Sequence, residues 1–396
     1  MGRARLALLT ASAVVAVIGP LPARGATARE GPGSVQVAQS LVARWSELTG
    51  PPEAMRTAGT DVAVKTFNAT FVPDQVVAAG GMIWLVGPAP AGNSNKGRCR
   101  VGRLNPTTLG LVTFALGSCG FNVTAGNGSP FLETAVADVK SQTYAVHIER
   151  FSTSTHTSTV YRAVSATLIL GSDIAHTQLG YAGGSLWLYA QGTSPEVLRL
   201  SASSGAVEHD YASVPQSGGG EPLIAGTSGY VWLAGGAGTG ADFVRVDLGD
   251  RAESTVRLGG NYASVYDMLG AGRQLYFLYL GGRTASDARA LGSFIGHLGP
   301  DGTVLGRSPE ERAGTTLVEG SGQLFTVGPG LTCTAGLPVW RVGPGTLRTT
   351  MVTTLNPPGD PCDWDNGYRP AAAAAGSVFV LYSASSAAVL YRVTAP

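Results

Sequence analysis

Six polar side chains stand ten or eleven residues ahead of an aromatic residue in a phrase that recurs along this chain of 396 residues. They are Asp74, Glu133, His176, Glu221, Tyr266 and Arg369. Carboxylates are preferred ligands of calcium and magnesium, and carboxylates and imidazoles also act as general acids and bases. Convergence of these residues would form a ligand-binding mouth, with a divalent cation, calcium or magnesium, as the implied cofactor. The competing interpretation is a solvated polar rim at strand ends.

A second acidic group lies in residues 359–367. It contains Asp360, Asp363, Asp365 and Asn366, but it lacks the spacing and the terminal Glu of a twelve-residue calcium loop. An ordinary turn is therefore favoured. The sequence has no His-Glu-x-x-His motif, nucleophile elbow or phosphate-binding loop, so no motif identifies a catalytic reaction.

The four cysteines, Cys99, Cys119, Cys333 and Cys362, are typical of a protein from an oxidising compartment. Three pairings are open. We favour 99–119 and 333–362, because each pair lies within one repeat, at separations of 20 and 29 residues. A zinc site is disfavoured because no Cys-x-x-Cys spacing occurs.

The recurring phrase consists of a small-residue turn, an aliphatic residue, an aromatic residue and another apolar residue. Its clearest copies are GMIWL, GSLWL and GYVWL at 81–85, 184–188 and 229–233. We call the aromatic residue of each copy the marker; the seven predicted markers are Trp84, Tyr144, Trp187, Trp232, Tyr276, Phe325 and Phe379. A period near ~45 residues with strand-like phrases is typical of a β-propeller with four strands per blade.

A second phrase, an apolar residue two positions before an arginine and an apolar residue after it, recurs in the predicted third strands. Its arginines are Arg103, Arg199, Arg245, Arg341 and Arg392. The last repeat ends after its third strand, and a strand-like run at 62–71 precedes the first marker. The sequence therefore predicts an all-β, seven-bladed propeller over 62–396, with four antiparallel strands per blade, closed by the N-terminal strand.

The N-terminal region is predicted to lie outside the propeller. Residues 1–28 read as a signal peptide, with Arg3 and Arg5 before an apolar run at 6–18 and a small-residue site at 26–28. Residues 29–61 are expected to hold an amphipathic helix at 34–48 and a linker. We therefore expect a secreted or cell-envelope protein.

Charge is sparse and balanced: Asp, Glu, Lys and Arg make up 13% of residues, and the net charge is +1. The absence of a basic cluster argues against nucleic acid as a partner. No later stretch reaches the ~18 uninterrupted apolar residues of a membrane span. The expected partner is a protein or small-molecule ligand at the channel face of a monomer.

The Gly-x-[Ile/Leu]-Trp phrases resemble those of bacterial secreted seven-bladed propellers of the YVTN and virginiamycin B lyase-like type, over about residues 62–396. The resemblance implies the propeller fold. Lyase-type repeats often continue the phrase with polar residues, whereas LVG and LYA follow at 85–87 and 188–190. No position matches the catalytic His and Glu of that family, so its lyase activity is not carried over.

Two functions follow as hypotheses. The first is a binding or scaffold protein, favoured by the missing catalytic motif and by long second-to-third strand loops rich in small residues, such as 87–98 and 280–293. The alternative is a metal-assisted lyase or hydrolase with its site in the central channel, using Glu133, His176 and Glu221 as ligands or base.

Overall fold

The structure is a computed structural model, and the residues that it describes belong to one compact unit within Ala54–Pro396. It describes residues 59–67, 71–88, 99–116, 120–138, 143–152, 154–155, 157–169, 177–190, 196–211, 222–235, 241–258, 262–281, 293–309, 314–328, 336–358, 370–384 and 387–395. The predicted signal peptide and the predicted helix at 34–48 lie outside these residues and stay predictions.

The described residues form twenty-eight strands, arranged as seven antiparallel sheets of four strands, and no helix. Blade one contains β2 (Gln75–Ala79), β3 (Met82–Pro88), β4 (Cys99–Leu104) and β5 (Leu111–Ala115). Blade two contains β6 (Gly120–Gly126), β7 (Ser129–Asp138), β8 (Thr143–Phe151) and β9 (Ser158–Ile169). Blade three contains β10 (Thr177–Ala182), β11 (Ser185–Ala190), β12 (Glu196–Ser201) and β13 (Val207–Tyr211).

The remaining blades repeat this order. Blade four contains β14 (Pro222–Gly226), β15 (Tyr230–Gly235), β16 (Ala241–Asp247) and β17 (Glu253–Leu258). Blade five contains β18 (Tyr262–Ala271), β19 (Gln274–Gly281), β20 (Ser293–Leu298) and β21 (Val304–Arg307). Blade six contains β22 (Thr316–Gly320), β23 (Gln323–Val327), β24 (Leu337–Val342) and β25 (Thr349–Leu355). Blade seven contains β26 (Ala371–Ala374), β27 (Ser377–Ala384), β28 (Ala387–Thr394) and β1 (Asp61–Phe67).

The N-terminal strand completes blade seven, as the incomplete last repeat predicts. β1 pairs antiparallel with β28, from Asp61 opposite Thr394 to Phe67 opposite Ala388. It begins one residue earlier than predicted and its described part ends at Phe67. The first strands of neighbouring blades contact one another around the whole ring, including β26 with β2. The predicted seven-bladed propeller is confirmed.

Tight hairpins and buried aromatic residues explain why each repeat folds as it does. In blade three, Gly183 and Gly184 connect β10 to β11 with φ angles of 57° and 79°. Positive φ at both central residues suits the two-residue turns whose twist matches the flanking strands. Trp187 then lies fully buried against Ile224 and Val231 of blade four. The markers therefore fill the spaces between adjacent blades.

The register also explains the third-strand arginines. Each lies directly opposite a marker, for example Arg103 opposite Trp84 and Arg392 opposite Phe379. In blade five the pair is Tyr276 and His297, whose rings stack at 4.4 Å between centroids. The two recurring phrases of the sequence are thus one cross-strand pair.

Blade two departs from the predicted pattern. Tyr144 lies on the third strand, β8, opposite Ala137 of β7, so it is not the marker. Phe131 has that place, because it pairs with Thr124 across a hairpin whose turn is Asn127-Gly128. The predicted marker was wrong because Pro130 replaces the aliphatic residue of the phrase and disguises this copy.

Candidate functional site

The first strands of the seven blades surround a central channel with a volume of about 840 Å³. In each blade, one residue of the first strand pairs with the marker on the second strand, and the next residue of the first strand lines the channel. We call these seven lining residues the channel ring. They are Ala78, Ala125, Tyr181, Gly226, Gly270, Glu319 and Ala373. Because five of the seven are Ala or Gly, small side chains and backbone form most of the wall at this level.

Two glycines of the channel ring are required by the close approach of neighbouring strands. A Cβ atom on Gly270 would lie 1.9 Å from the carbonyl oxygen of Gly226. A Cβ atom on Gly226 would lie 2.4 Å from that of Ala182. Neither separation is sterically allowed, so blades three, four and five approach this closely only with glycine at these positions.

Polar side chains nine residues before the marker join one first strand to the next. Gln178 of blade three accepts a hydrogen bond through Oε1 from the backbone N–H of Ile224 in blade four. Asp267 of blade five accepts one through Oδ2 from the backbone N–H of Leu317 in blade six, at 2.6 Å. Its Oδ1 accepts another from the N–H of Met268 at 2.9 Å. The side-chain oxygens of these channel-lining groups therefore already accept hydrogen bonds from backbone N–H groups.

Asn122 occupies the same position in blade two, nine residues before Phe131. Its Nδ2 donates to the carbonyl oxygen of Thr177 in blade three at 2.7 Å. Gln75 has the equivalent place in blade one and is buried. The sequence analysis missed this set of residues. Counting nine residues back from the predicted markers finds Gln75, Gln178 and Asp267, whereas Asn122 is found only from Phe131.

Tyr266 is the predicted site residue that lines the channel. Its hydroxyl forms hydrogen bonds with Ser293 Oγ and with the carbonyl oxygen of Gly314, the latter at 3.2 Å. Burial raises the pKa of this phenol, so it stays protonated at neutral pH. Its hydroxyl thus connects blade five to the start of blade six.

Asp74 lies immediately before β2, at the start of blade one, where its backbone N–H donates to the carbonyl oxygen of Val86 at 3.0 Å. Burial raises the pKa of its carboxyl to about 7, and a backbone hydrogen bond lowers it only in part. Its Oδ1 is buried without a hydrogen-bond partner among the described residues. Asp74 can therefore exchange a proton near neutral pH.

Glu133 does not lie at the entrance of a first strand, where the incorrect marker placed it. It lies on β7, the second strand of blade two, on the same side as Phe131, which packs against blade three. The side chain has no exposed surface. Burial raises the pKa of its carboxyl to about 7, opposed by hydrogen bonds from Thr177 and from Asn122, whose Nδ2 lies 3.0 Å from Oε2.

The other predicted site residues, His176, Glu221 and Arg369, lie outside the described residues, as do Asp360, Asp363, Asp365 and Asn366. Cys99 is buried and is not a free thiol. Cys119, Cys333 and Cys362 lie outside the described residues, so the 99–119 and 333–362 pairing stays a prediction.

The structure does not bring the described candidates together. Asp74 precedes blade one, Tyr266 lines the channel from blade five, and Glu133 faces blade three. Within the described ranges, no three His, Cys, Asp or Glu side chains are grouped as metal ligands would be. In the same ranges no helix has the length and apolar character to cross a membrane.

No known family matches the sequence, and no curated protein does. Among solved structures, the chain is similar to the β-propeller domain of the Trilobed protease from Pyrococcus furiosus, at 9% identity and a TM-score of 0.54, covering 82% of this chain and 94% of that one. It is similar to the WD40 domain of Toxoplasma gondii coronin, at 9% identity and a TM-score of 0.52, covering 85% and 87%. The polysaccharide lyase Uly1 gives 12% identity and a TM-score of 0.50, covering 82% and 90%. At these identities the likeness concerns the fold alone.

Proposed function

We propose that this chain is an exported binding or scaffold propeller of the bacterial cell envelope or extracellular space, which holds a small ligand or a protein segment at its central channel. The secretion part of the proposal rests on the leader-like residues 1–28 and on the cysteine content. The resemblance of the Trp phrases to secreted YVTN-type propellers supports the same assignment.

The observation that carries the proposal is the channel itself. Its volume of about 840 Å³ lies in the range of small-molecule sites. Small residues form much of its lining, including Ala78, Ala125, Gly226 and Ala373. A concave site lined by small residues and backbone, with a few fixed polar side chains, suits binding by shape and hydrogen bonding.

The polar groups of the wall support binding over catalysis. Gln178 and Asp267 accept hydrogen bonds from backbone N–H groups, and the Tyr266 hydroxyl is held by Ser293. Groups held in this way position the strands. A general base or nucleophile instead has to present its reactive atom to the substrate.

A metal-assisted lyase or hydrolase is the second candidate, favoured by the raised pKa values of Asp74 and Glu133, because perturbed carboxyl groups concentrate at catalytic sites. Elemental analysis of purified protein, with thermal melting in calcium, magnesium or EDTA, separates the two functions. About one ion per chain, lost together with stability in Glu133→Ala or Glu221→Ala, would establish the metal-dependent function. The binding proposal expects no such ion.

The binding proposal is tested with the neutral fluorescent probe N-phenyl-1-naphthylamine. We expect saturable binding with one probe per chain. Ala78→Phe should weaken probe binding, because a phenyl group at this position of the channel ring would occupy the channel. Val112→Phe is the matched control, since Val112 lies on β5 and is 49% exposed.

The test compares the probe affinities of the two variants, provided that both variants melt at the same temperature. Weaker probe binding in Ala78→Phe but not in Val112→Phe supports the channel as the site. Absence of saturable binding, or equal binding by both variants, contradicts the proposal.

A further inference from the structure

The channel has two unlike walls. The first strands of blades five and six contribute hydroxyl and carboxylate groups, from Tyr266, Asp267, Thr315, Thr316 and Glu319. The first strands of blades seven, one and two contribute mainly small side chains, from Ala371, Ala373, Ala78 and Ala125. A ligand in the channel therefore meets hydroxyl and carboxylate groups on one side and a wall of small residues on the other.

The polar wall is acidic. Asp267 and Glu319 are the charged side chains that line the channel within the described residues, and both are carboxylates. Asp267 is an acceptor on both oxygens, and Glu319 Oε1 accepts a hydrogen bond from the backbone N–H of Gly322 at 3.0 Å. A carboxylate offers about four acceptor positions, so both groups retain capacity for a donor from a ligand.

The two carboxylates lie at different heights of the same wall. The Asp267 side chain accepts a hydrogen bond from the N–H of Leu317 on β22, and Glu319 lies two residues further along β22. At a rise of ~3.3 Å per residue, the two levels are ~7 Å apart along the strand. Glu319 is exposed at its level, whereas Asp267 is only partly buried in the wall.

We propose that the channel binds a slender aliphatic amine, preferentially a diamine. Its hydrocarbon chain lies on the small-residue wall of blades seven, one and two, and its ammonium groups meet the carboxylates of Asp267 and Glu319. This inference rests on the proposed function, because it takes the channel to be a ligand site. A carboxylate ligand of equal length would face uncompensated like charge in the same wall.

The test uses three probes with the same six-carbon chain: hexylamine, 1,6-diaminohexane and hexanoate, titrated by calorimetry. We expect both amines to bind, the diamine more tightly, and hexanoate not to bind. Glu319→Gln should weaken the diamine roughly tenfold, the value of one charge-assisted hydrogen bond. Asp210→Asn is the matched control, because Asp210 is an exposed carboxylate on the outer strand β13.

The outcomes separate this inference from the proposed function. Equal binding of hexanoate and hexylamine, or an unchanged diamine affinity in Glu319→Gln, overturns the inference. If N-phenyl-1-naphthylamine binds the channel but neither amine displaces it, the channel remains a ligand site and only the amine is wrong. If neither probe nor amine binds, both proposals are wrong. Glu319 is exposed and its amide can still accept from Gly322, so this variant is expected to fold.

Discussion

Glu133 shows at the scale of one residue how the fold changes ordinary chemistry. Its carboxyl is fully buried between blades two and three, and its pKa rises from 4.5 to about 7. Between these values the folded protein keeps a proton that the unfolded chain releases. The free energy of unfolding therefore falls as pH rises through this interval, because the folded state binds more protons.

We predict that Glu133→Gln reduces this pH dependence. One proton contributes a slope of at most ~1.4 kcal/mol per pH unit, which the amide removes because it does not titrate. Asp74, whose pKa is raised for the same reason, leaves a residual slope in the variant. The measurement is urea unfolding from pH 5 to 8.

The exposed carboxyl of Asp210 provides the control for this experiment. Asp210→Asn should leave the slope of wild-type protein unchanged, since that side chain is exposed. A Glu133→Gln protein with the wild-type slope would show that Glu133 is not the group that titrates.

Gly270 gives a second prediction for a single residue. We expect Gly270→Ala to destabilise the protein by ~2–4 kcal/mol, because its Cβ would lie 1.9 Å from the Gly226 carbonyl oxygen and force the strands apart. Gly229→Ala is the matched change, since nothing lies within 4 Å of a Cβ built there and its φ is not positive. Thermal melting should separate the two, and equal melting temperatures would contradict the close approach.

At the scale of the strands, two third-strand arginines and one fourth-strand tyrosine each connect a blade to a turn of the next blade. Arg245 of blade four donates through Nη1 to the carbonyl oxygen of Pro300 in blade five. Tyr161 of blade two donates to the carbonyl oxygen of Ala202 in blade three at 2.9 Å. Blades are thus joined by polar bonds at their third-to-fourth strand turns as well as by the aromatic markers.

Arg392 makes this connection where the ring closes. Its Nη1 donates to the carbonyl oxygens of Pro106 and Thr107 in blade one, and its Nη2 lies 3.4 Å from Asp61 Oδ2 of β1. We expect Arg392→Ala to cost ~1–3 kcal/mol, because hydrogen bonds from a charged donor are lost and carbonyl groups are left unpaired. Chemical denaturation measures this loss.

Arg257 offers the comparison for Arg392. It lies 3.9 Å from Asp242, with 80% of its side chain exposed, so Arg257→Ala should change stability little. Similar losses in the two variants would indicate that the connection to blade one contributes nothing specific.

At the scale of the whole molecule, closure depends on β1. A chain that begins at Asn68 lacks this strand and exposes the edge of β28, so we expect it to aggregate or to melt well below the full chain. A chain that begins at Gly59 keeps β1 and should behave as the parent in size-exclusion chromatography and thermal melting. A monomeric protein beginning at Asn68 with the parent melting temperature would refute closure by β1.

The proposed export has its own test in the cysteines. We predict that protein made in an oxidising compartment contains 99–119 and 333–362 disulfides, each stabilising by ~2–4 kcal/mol if unstrained. Non-reducing peptide mapping identifies the links. A 119–333 linkage, or four free thiols, would contradict this pairing.

The sequence by itself determined the number of blades, the hairpins and the closing strand. These features depend on residues close together along the chain: the Gly183-Gly184 turn, the marker that follows it, and the arginine opposite the marker. The missing fourth strand of the last repeat then indicated closure, because an open ring would leave unpaired edges. Pro130 broke the local pattern, and with it the prediction for blade two and Glu133.

Only the tertiary structure decided which polar groups meet. The hydrogen bonds of Asn122 to Thr177 and of Leu317 to Asp267 join residues 55 and 50 positions apart. Sequence separation alone does not indicate which residues so far apart form a hydrogen bond. The same holds for burial: Glu133 appears in sequence as an ordinary acidic residue, and its pKa near 7 arises from the blade packed against it. The repeat encodes each blade, whereas channel and interface chemistry arises where blades meet.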